Sequence, residues 1–259
     1  MGHIRLGRLP KSQSWQAMVA LLAAPRVDPG VVAAATSRAA GQRLDALADD
    51  ASLAYCFWLL TRLASAARRP DFGDALGDLG LAVRPSDSVI GFVAQVNDRV
   101  RDEVERHPES GPFGELASLS LRRALTETVG AEGRLLFGSS AEDLERAFRR
   151  HATPDSFGIV AHRFFGDFLA RTLRFYVDKE LALHLGAGGG LADIARGESF
   201  IEDLDRHARQ SARIVERFAS DWFSKHDWEA GGAIGRDEAQ GFVAVALAKL
   251  RGELAEARA

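Results

Sequence analysis

The residues whose types and spacing could do acid–base or metal chemistry are few. Glu103/His107, Asp203/His207 and Glu180/His184 each stand four apart. On a helix that spacing brings a carboxylate and an imidazole to one face, where they can share a proton or supply two corners of a metal site. A zinc or di-iron centre needs further ligands, and the Glu-x-x-His spacing of a di-iron bundle does not occur. The three pairs therefore read as exposed ion pairs, and no metal or other cofactor is expected. A helical enzyme would require a polar set such as His162, Asp167, Glu180 and His184 to converge in one pocket.

A second set is cationic. Between Glu145 and Tyr176 stand Arg146, Arg149, Arg150, Arg163, Arg171 and Arg174, interleaved with Phe148, Phe157, Phe164, Phe165, Phe168 and Phe175. Guanidinium groups and aromatic rings together suit phosphate backbones and stacked bases, so these arginines are candidate nucleic-acid contacts. The spacing of Phe157, Phe164, Phe168 and Phe175 also describes a buried stripe with the arginines on the solvated side. The two readings lead to different functions and both stand at this point.

The third set is the N-terminal arm, residues 1–11. It carries Arg5, Arg8 and Lys11 and no acid, with Ile4, Leu6 and Leu9 between them. Two glycines and a proline oppose helix there. An extended basic and apolar arm can lie in a groove of a partner or of a second copy. Ile4, Arg5, Leu6, Arg8, Leu9 and Trp15 are thus the candidate partner contacts, with folding back onto the chain's own bundle as the alternative.

Two short stretches resemble motifs of all-α enzyme families. His226-Asp227 is the dipeptide of the HD phosphohydrolases, but the other His and Asp ligands have no clear counterparts. Asn97-Asp-Arg-Val-Arg101-Asp-Glu-Val-Glu105 resembles the magnesium motif of class I terpene synthases; Arg101 stands at the middle ligand, where it would repel the metal. The Gly-rich stretches 186–190 and 231–235 lack the Lys-Ser/Thr of a phosphate loop, and no Gly-x-Ser-x-Gly or His-Glu-x-x-His occurs. The balance leans against an enzyme.

The elements that must position these residues are helices. Val, Ile and Thr are scarce, whereas Ala, Leu, Arg and Glu dominate the 259 residues. The patterning predicts an all-α, multi-helix bundle with long C-terminal helices behind the extended arm. Residues 12–259 are expected to form one helical domain, with a subdivision near 108–114 as the alternative. Helices are predicted over 12–24, 28–49, 51–69, 86–107, 115–129, 140–150, 155–185, 191–228 and 236–257. Val89, Val93, Val96, Val100 and Val104 mark one buried stripe; Ile201, Leu204, Ala208, Ser211, Val215, Phe218 and Trp222 mark a seam.

With 46% hydrophobic and 27% charged residues the chain is globular in type, and its net charge of −3 opposes a coat of nucleic acid or broad docking on anionic membrane. The lone Cys56 lies in an apolar run, which fits a buried thiol in a reducing compartment. No apolar signal core opens the sequence, and the run from Ala51 is broken at Arg62, short of the roughly 20 residues that span a bilayer. A cytoplasmic location is expected. Arg far outnumbers Lys in an Ala- and Gly-rich sequence, as in GC-rich bacterial genomes. Together these features predict a non-enzymatic helical interaction or structural subunit of an intracellular bacterial assembly, with a protein partner or self-association. The alternatives are a nucleic-acid-binding accessory protein and a helical enzyme.

Overall fold

A computed structural model describes residues 12–22, 24, 27–83, 88–131, 141–184, 194–231 and 233–256. Its helices, in order, are α1 (Gln13–Leu22), α2 (Pro29–Ala39), α3 (Gly41–Ala46), α4 (Ala51–Ala66), α5 (Phe72–Gly77), α6 (Val89–Arg106), α7 (Pro112–Thr128), α8 (Ala141–Arg150), α9 (Pro154–His184), α10 (Ile194–Ser211), α11 (Arg213–Glu229) and α12 (Arg236–Glu256). No strand occurs among the described residues, so the fold is an all-α bundle. The arm, with Ile4, Arg5, Leu6, Arg8 and Leu9, lies outside the described residues.

Local chemistry explains several helix starts. Asp28, Asp50 and Ser88 turn their side-chain oxygens onto the amides of Val31, Leu53 and Gly91, at 3.0, 2.9 and 3.1 Å. Each thereby satisfies one amide that has no partner inside its helix. Pro29 and Pro112 sit in first turns, where a missing N–H costs nothing. Gly111, with φ +58°, turns the chain from α6 into α7, and these two helices pack on each other.

α9 is the central post. It packs against α7, α10 and α11 and touches α1 and α2. α4 forms the other half of the core, with thirteen of its sixteen residues buried against α12, α7 and α6. Phe57 stands where the halves meet. Its ring stacks on Phe242 at 4.5 Å between centroids and lies within 6.4 Å of Phe157, Phe164, Phe165 and Trp222. Trp58 donates from its indole nitrogen to the Ile234 carbonyl at 3.0 Å, tying α4 to the approach of α12. Cys56 is fully buried, and burial pushes its thiol far above the usual range, so it is a core residue. Among the described residues no helix is long and apolar enough to cross a membrane.

Two predicted helices are broken. The one expected over 28–49 ends at Ala39, and a short helix and a 3-10 turn at Leu47–Asp49 follow. Gly41, at the joint, is a poor residue for a continuous helix. The one expected over 191–228 divides at Ala212. Its buried face runs through Ile201, Leu204, Ala208 and Ala212 and then through Val215, Ala219 and Phe223. The seam read from the sequence holds through Ile201, Leu204 and Ala208, and Ala212 then takes the buried place expected of Ser211. After the break, Phe218 and Trp222 give way to Ala219 and Phe223 as the most buried positions.

Glycines on α9 let α10 and α11 approach. A Cβ on Gly158 would stand 2.4 Å from the Glu216 carbonyl oxygen, whereas one on Gly166 would meet Ala212 and Arg209 at an ordinary 3.4 Å. Gly158→Ala must move a backbone and is expected to cost about 1–3 kcal/mol. Gly166→Ala is expected to be neutral or stabilising by up to about 1 kcal/mol, from helix propensity alone. Urea denaturation of the two variants checks the contrast; equal midpoints would show that α11 does not press on α9 at Gly158.

Candidate functional site

The sequence Phe164-Phe165-Gly166-Asp167-Phe168-Leu169 places a carboxylate in the middle of the most apolar turn of α9. Asp167 is 1% exposed. A carboxylate there is tolerable only if its charge and its lone pairs are met. Oδ1 accepts from Arg123 Nη1 at 3.1 Å and from Arg209 Nη2 at 2.9 Å. Oδ2 accepts from Arg171 Nε at 2.5 Å and from Ser120 Oγ at 3.1 Å. Thus α7 supplies Ser120 and Arg123, α9 supplies Arg171 one turn on, and α10 supplies Arg209.

One arginine would neutralise one aspartate, and three converge here. Their side chains are 41%, 30% and 31% exposed for Arg123, Arg171 and Arg209, so all three are partly open to water while they hold the carboxylate. Arg123 also gives Nε to Glu127 at 2.5 Å, and Arg163 donates to the Glu127 backbone carbonyl. Arg122, beside Arg123, has no ion pair among the described residues. At Asp167 and Glu127 three guanidiniums, those of Arg123, Arg171 and Arg209, meet two carboxylates, which leaves a local positive surplus on a chain whose net charge is −3.

This cluster borders an open groove of about 550 Å³ between α6 and α7. Val89, Val93, Ala94 and Leu119 give it apolar walls, and Ile90, 49% exposed, stands on its edge. Arg122, Arg123 and Arg171 supply cations, with Glu127 as the single acid of the lining. A second hollow of about 330 Å³ continues along the same helix pair, and Asn97, Leu119 and Arg122 line both. The larger groove can hold an apolar face of another segment and, beside its arginines, negative charge.

A second buried carboxylate, Glu103 on α6, serves the fold. It binds Arg106 at 2.9 Å and Arg236 at 2.5 Å, and Arg236 lies over the rings of Tyr55 and Trp58 at 4.8 and 5.0 Å. Burial alone would raise the Glu103 pKa; the hydrogen bonds and charges of Arg236 and Arg106 outweigh it and hold the carboxyl below its ordinary value. This pins the start of α12 to α4 and α6.

The other predicted sites are dispersed. Trp15 is 5% exposed, donates its indole N–H to Glu180 at 3.2 Å and meets Tyr176 edge-on. It is committed to the bundle's own core and offers no surface to a partner. Arg146 pairs with Asp143 and Arg149 with Glu145, both within α8, and Arg150 also has a partner. Arg174 faces Asp178 and Asp205, each at 3.6 Å. Arg163 and Arg171 alone of the six join the cluster at α7. The aromatic partners of that reading, Phe148, Phe157, Phe164, Phe165 and Phe168, are core residues.

The polar set expected of a helical enzyme does not converge among the described residues. His162 Nε2 donates to the Arg209 carbonyl, Asp167 is enclosed by arginines, and Glu180 holds Trp15. The side chain of His184 lies outside the described residues. No group of three His, Cys, Asp or Glu able to hold a metal occurs among the described residues. In the His226-Asp227 pair, His226 donates to the Trp222 carbonyl while Asp227 takes Ser65 and Arg68.

Sequence reasoning missed Arg122, Arg123 and Arg209, because each lies more than 40 residues from Asp167. A lone acid inside an apolar turn was the available signal that distant cations had to meet there. No family model, curated protein or solved structure matches the chain.

Proposed function

We propose that the protein is a non-enzymatic helical subunit of an intracellular bacterial multi-protein assembly, and that it seats an amphipathic, acidic segment of a partner protein in the groove between α6 and α7. The observation that carries this reading is the groove itself. The half-exposed Ile90 at the edge of its apolar walls offers a partner an apolar contact, and the adjacent Arg122 and Arg171 favour a partner with negative charge. A helical partner segment would lay the side chains of one face into it. The basic arm, through Ile4, Arg5, Leu6, Arg8 and Leu9, is the second contact of this reading. A base-stacking surface is less well supported, since the phenylalanines that would stack are internal.

The test is a native pull-down from the host at moderate salt with four chains: wild type, Ile90→Glu, Arg122→Glu and a deletion of residues 1–11. A protein recovered stoichiometrically with wild type, and reduced at least about tenfold by either groove substitution, is the expected outcome. Both substitutions are at exposed or rim positions, and unchanged melting temperatures verify that the fold is intact. Equal recovery by both groove variants defeats the groove reading. Loss on the deletion alone moves the contact to the arm. A partner-free wild type defeats the interaction reading altogether.

A further inference from the structure

We propose that Arg171 and Arg209, held in place by Asp167, form a binding site for a phosphate-type oxyanion. The buried carboxylate accounts for one positive charge, and Glu127 answers Arg123. Arg171 uses only Nε, and Arg209 only Nη2, in ion pairs within the cluster. A guanidinium carries five N–H donors, so both keep unused pairs, and both side chains are about 30% exposed. They come from different helices, α9 and α10, and approach the two oxygens of one carboxylate at 2.5 and 2.9 Å.

Such fixing matters for affinity. A free surface arginine loses rotamer freedom when it binds an anion. Here the bonds to Asp167 already restrict that freedom, and each guanidinium keeps N–H donors of the kind that bind phosphate oxygens. Asp205, one turn before Arg209 on α10, lies 3.6 Å from Arg174, so Asp167 is the acid that Arg209 pairs with among the described residues. The shared ligand chemistry is a phosphate group, whether free inorganic phosphate, a phosphorylated side chain or a nucleotide. The inference goes beyond the groove reading and does not need it, because Arg209 is not part of the groove lining.

The test is thermal melting of the full chain in inorganic phosphate against chloride at equal ionic strength, with a parallel NMR titration of the arginine Nε–H signals. Phosphate also stabilises folded chains generally by exclusion from their surface, and that contribution persists in variants. Wild type is expected to gain a saturable phosphate-specific rise in melting temperature and a shift of the Arg171 and Arg209 signals. Arg171→Gln and Arg209→Gln are each expected to weaken phosphate binding about tenfold or more, while Arg122→Gln leaves it unchanged. In either variant Asp167 retains two arginines, so the fold survives. Phosphoserine and AMP form the source arms: tighter binding of either names a phosphorylated side chain or a nucleotide, and no gain over phosphate names the free ion. The proposal is overturned by equal melting in phosphate and chloride with unmoved Nε–H signals, by unchanged affinity in both variants, or by an equal loss in Arg122→Gln. Failure of the partner pull-down with phosphate binding intact would remove the groove reading and leave this site standing.

Discussion

Asp167→Ala is expected to destabilise the bundle by about 3 kcal/mol, more than the loss of any one of the arginines around it. Removing the acid leaves Arg123, Arg171 and Arg209 facing one another across a cavity, and breaking a buried pair in this way costs about 3–5 kcal/mol. The low end applies because the guanidiniums are 30–41% exposed and can turn to water. Arg209→Gln leaves the carboxylate with two arginines and Ser120, so its cost is expected to be about 1 kcal/mol or less. Urea titrations of both variants read the difference. A larger loss for Arg209→Gln would show that the arginines, rather than the aspartate, hold the three helices together.

Phe57→Ala is expected to cost about 3–5 kcal/mol, the usual range for emptying an aromatic site in a packed core. The ring has no exposed surface and touches aromatic groups from α9, α11 and α12 at once, so the cavity cannot close by moving a single helix. Trp228→Ala is the matched comparison. That indole is 85% exposed and its removal is expected to change stability by no more than about 0.5 kcal/mol. Comparable losses for the two would mean that Phe57 is not at the centre of the core.

Much of the fold was legible in the sequence. Val89, Val93, Val96 and Val100 are buried as their spacing required, and Asp28, the apolar run after Asp50, and the long proline-free C-terminal region all place helices where they occur. The break at Ala212 was not legible, since alanine is a strong helix former and the apolar pattern continues through it. Both halves of the divided helix pack on α9, close to Gly158 and Gly166. The site was also less legible. The neighbours of Asp167 from α7 and α10 stand 42–47 residues away along the chain, and local patterns carry no information about them. The aromatic residues between 148 and 168 illustrate the ambiguity of composition: the same rings that could stack on bases are the ones that fill the core.

The pairing of α4 with α12 has a consequence for how the protein is made. α4 is almost wholly buried, and part of its cover is a helix that begins at Arg236, 170 residues after α4 ends at Ala66. At a synthesis rate of about 5–20 residues per second, that interval lasts on the order of 10–30 s. During it the apolar side of α4 waits on the ribosome without its final neighbour, while α6, α7 and α9 can already assemble against it. The core around α4 therefore closes only after the last helix has emerged.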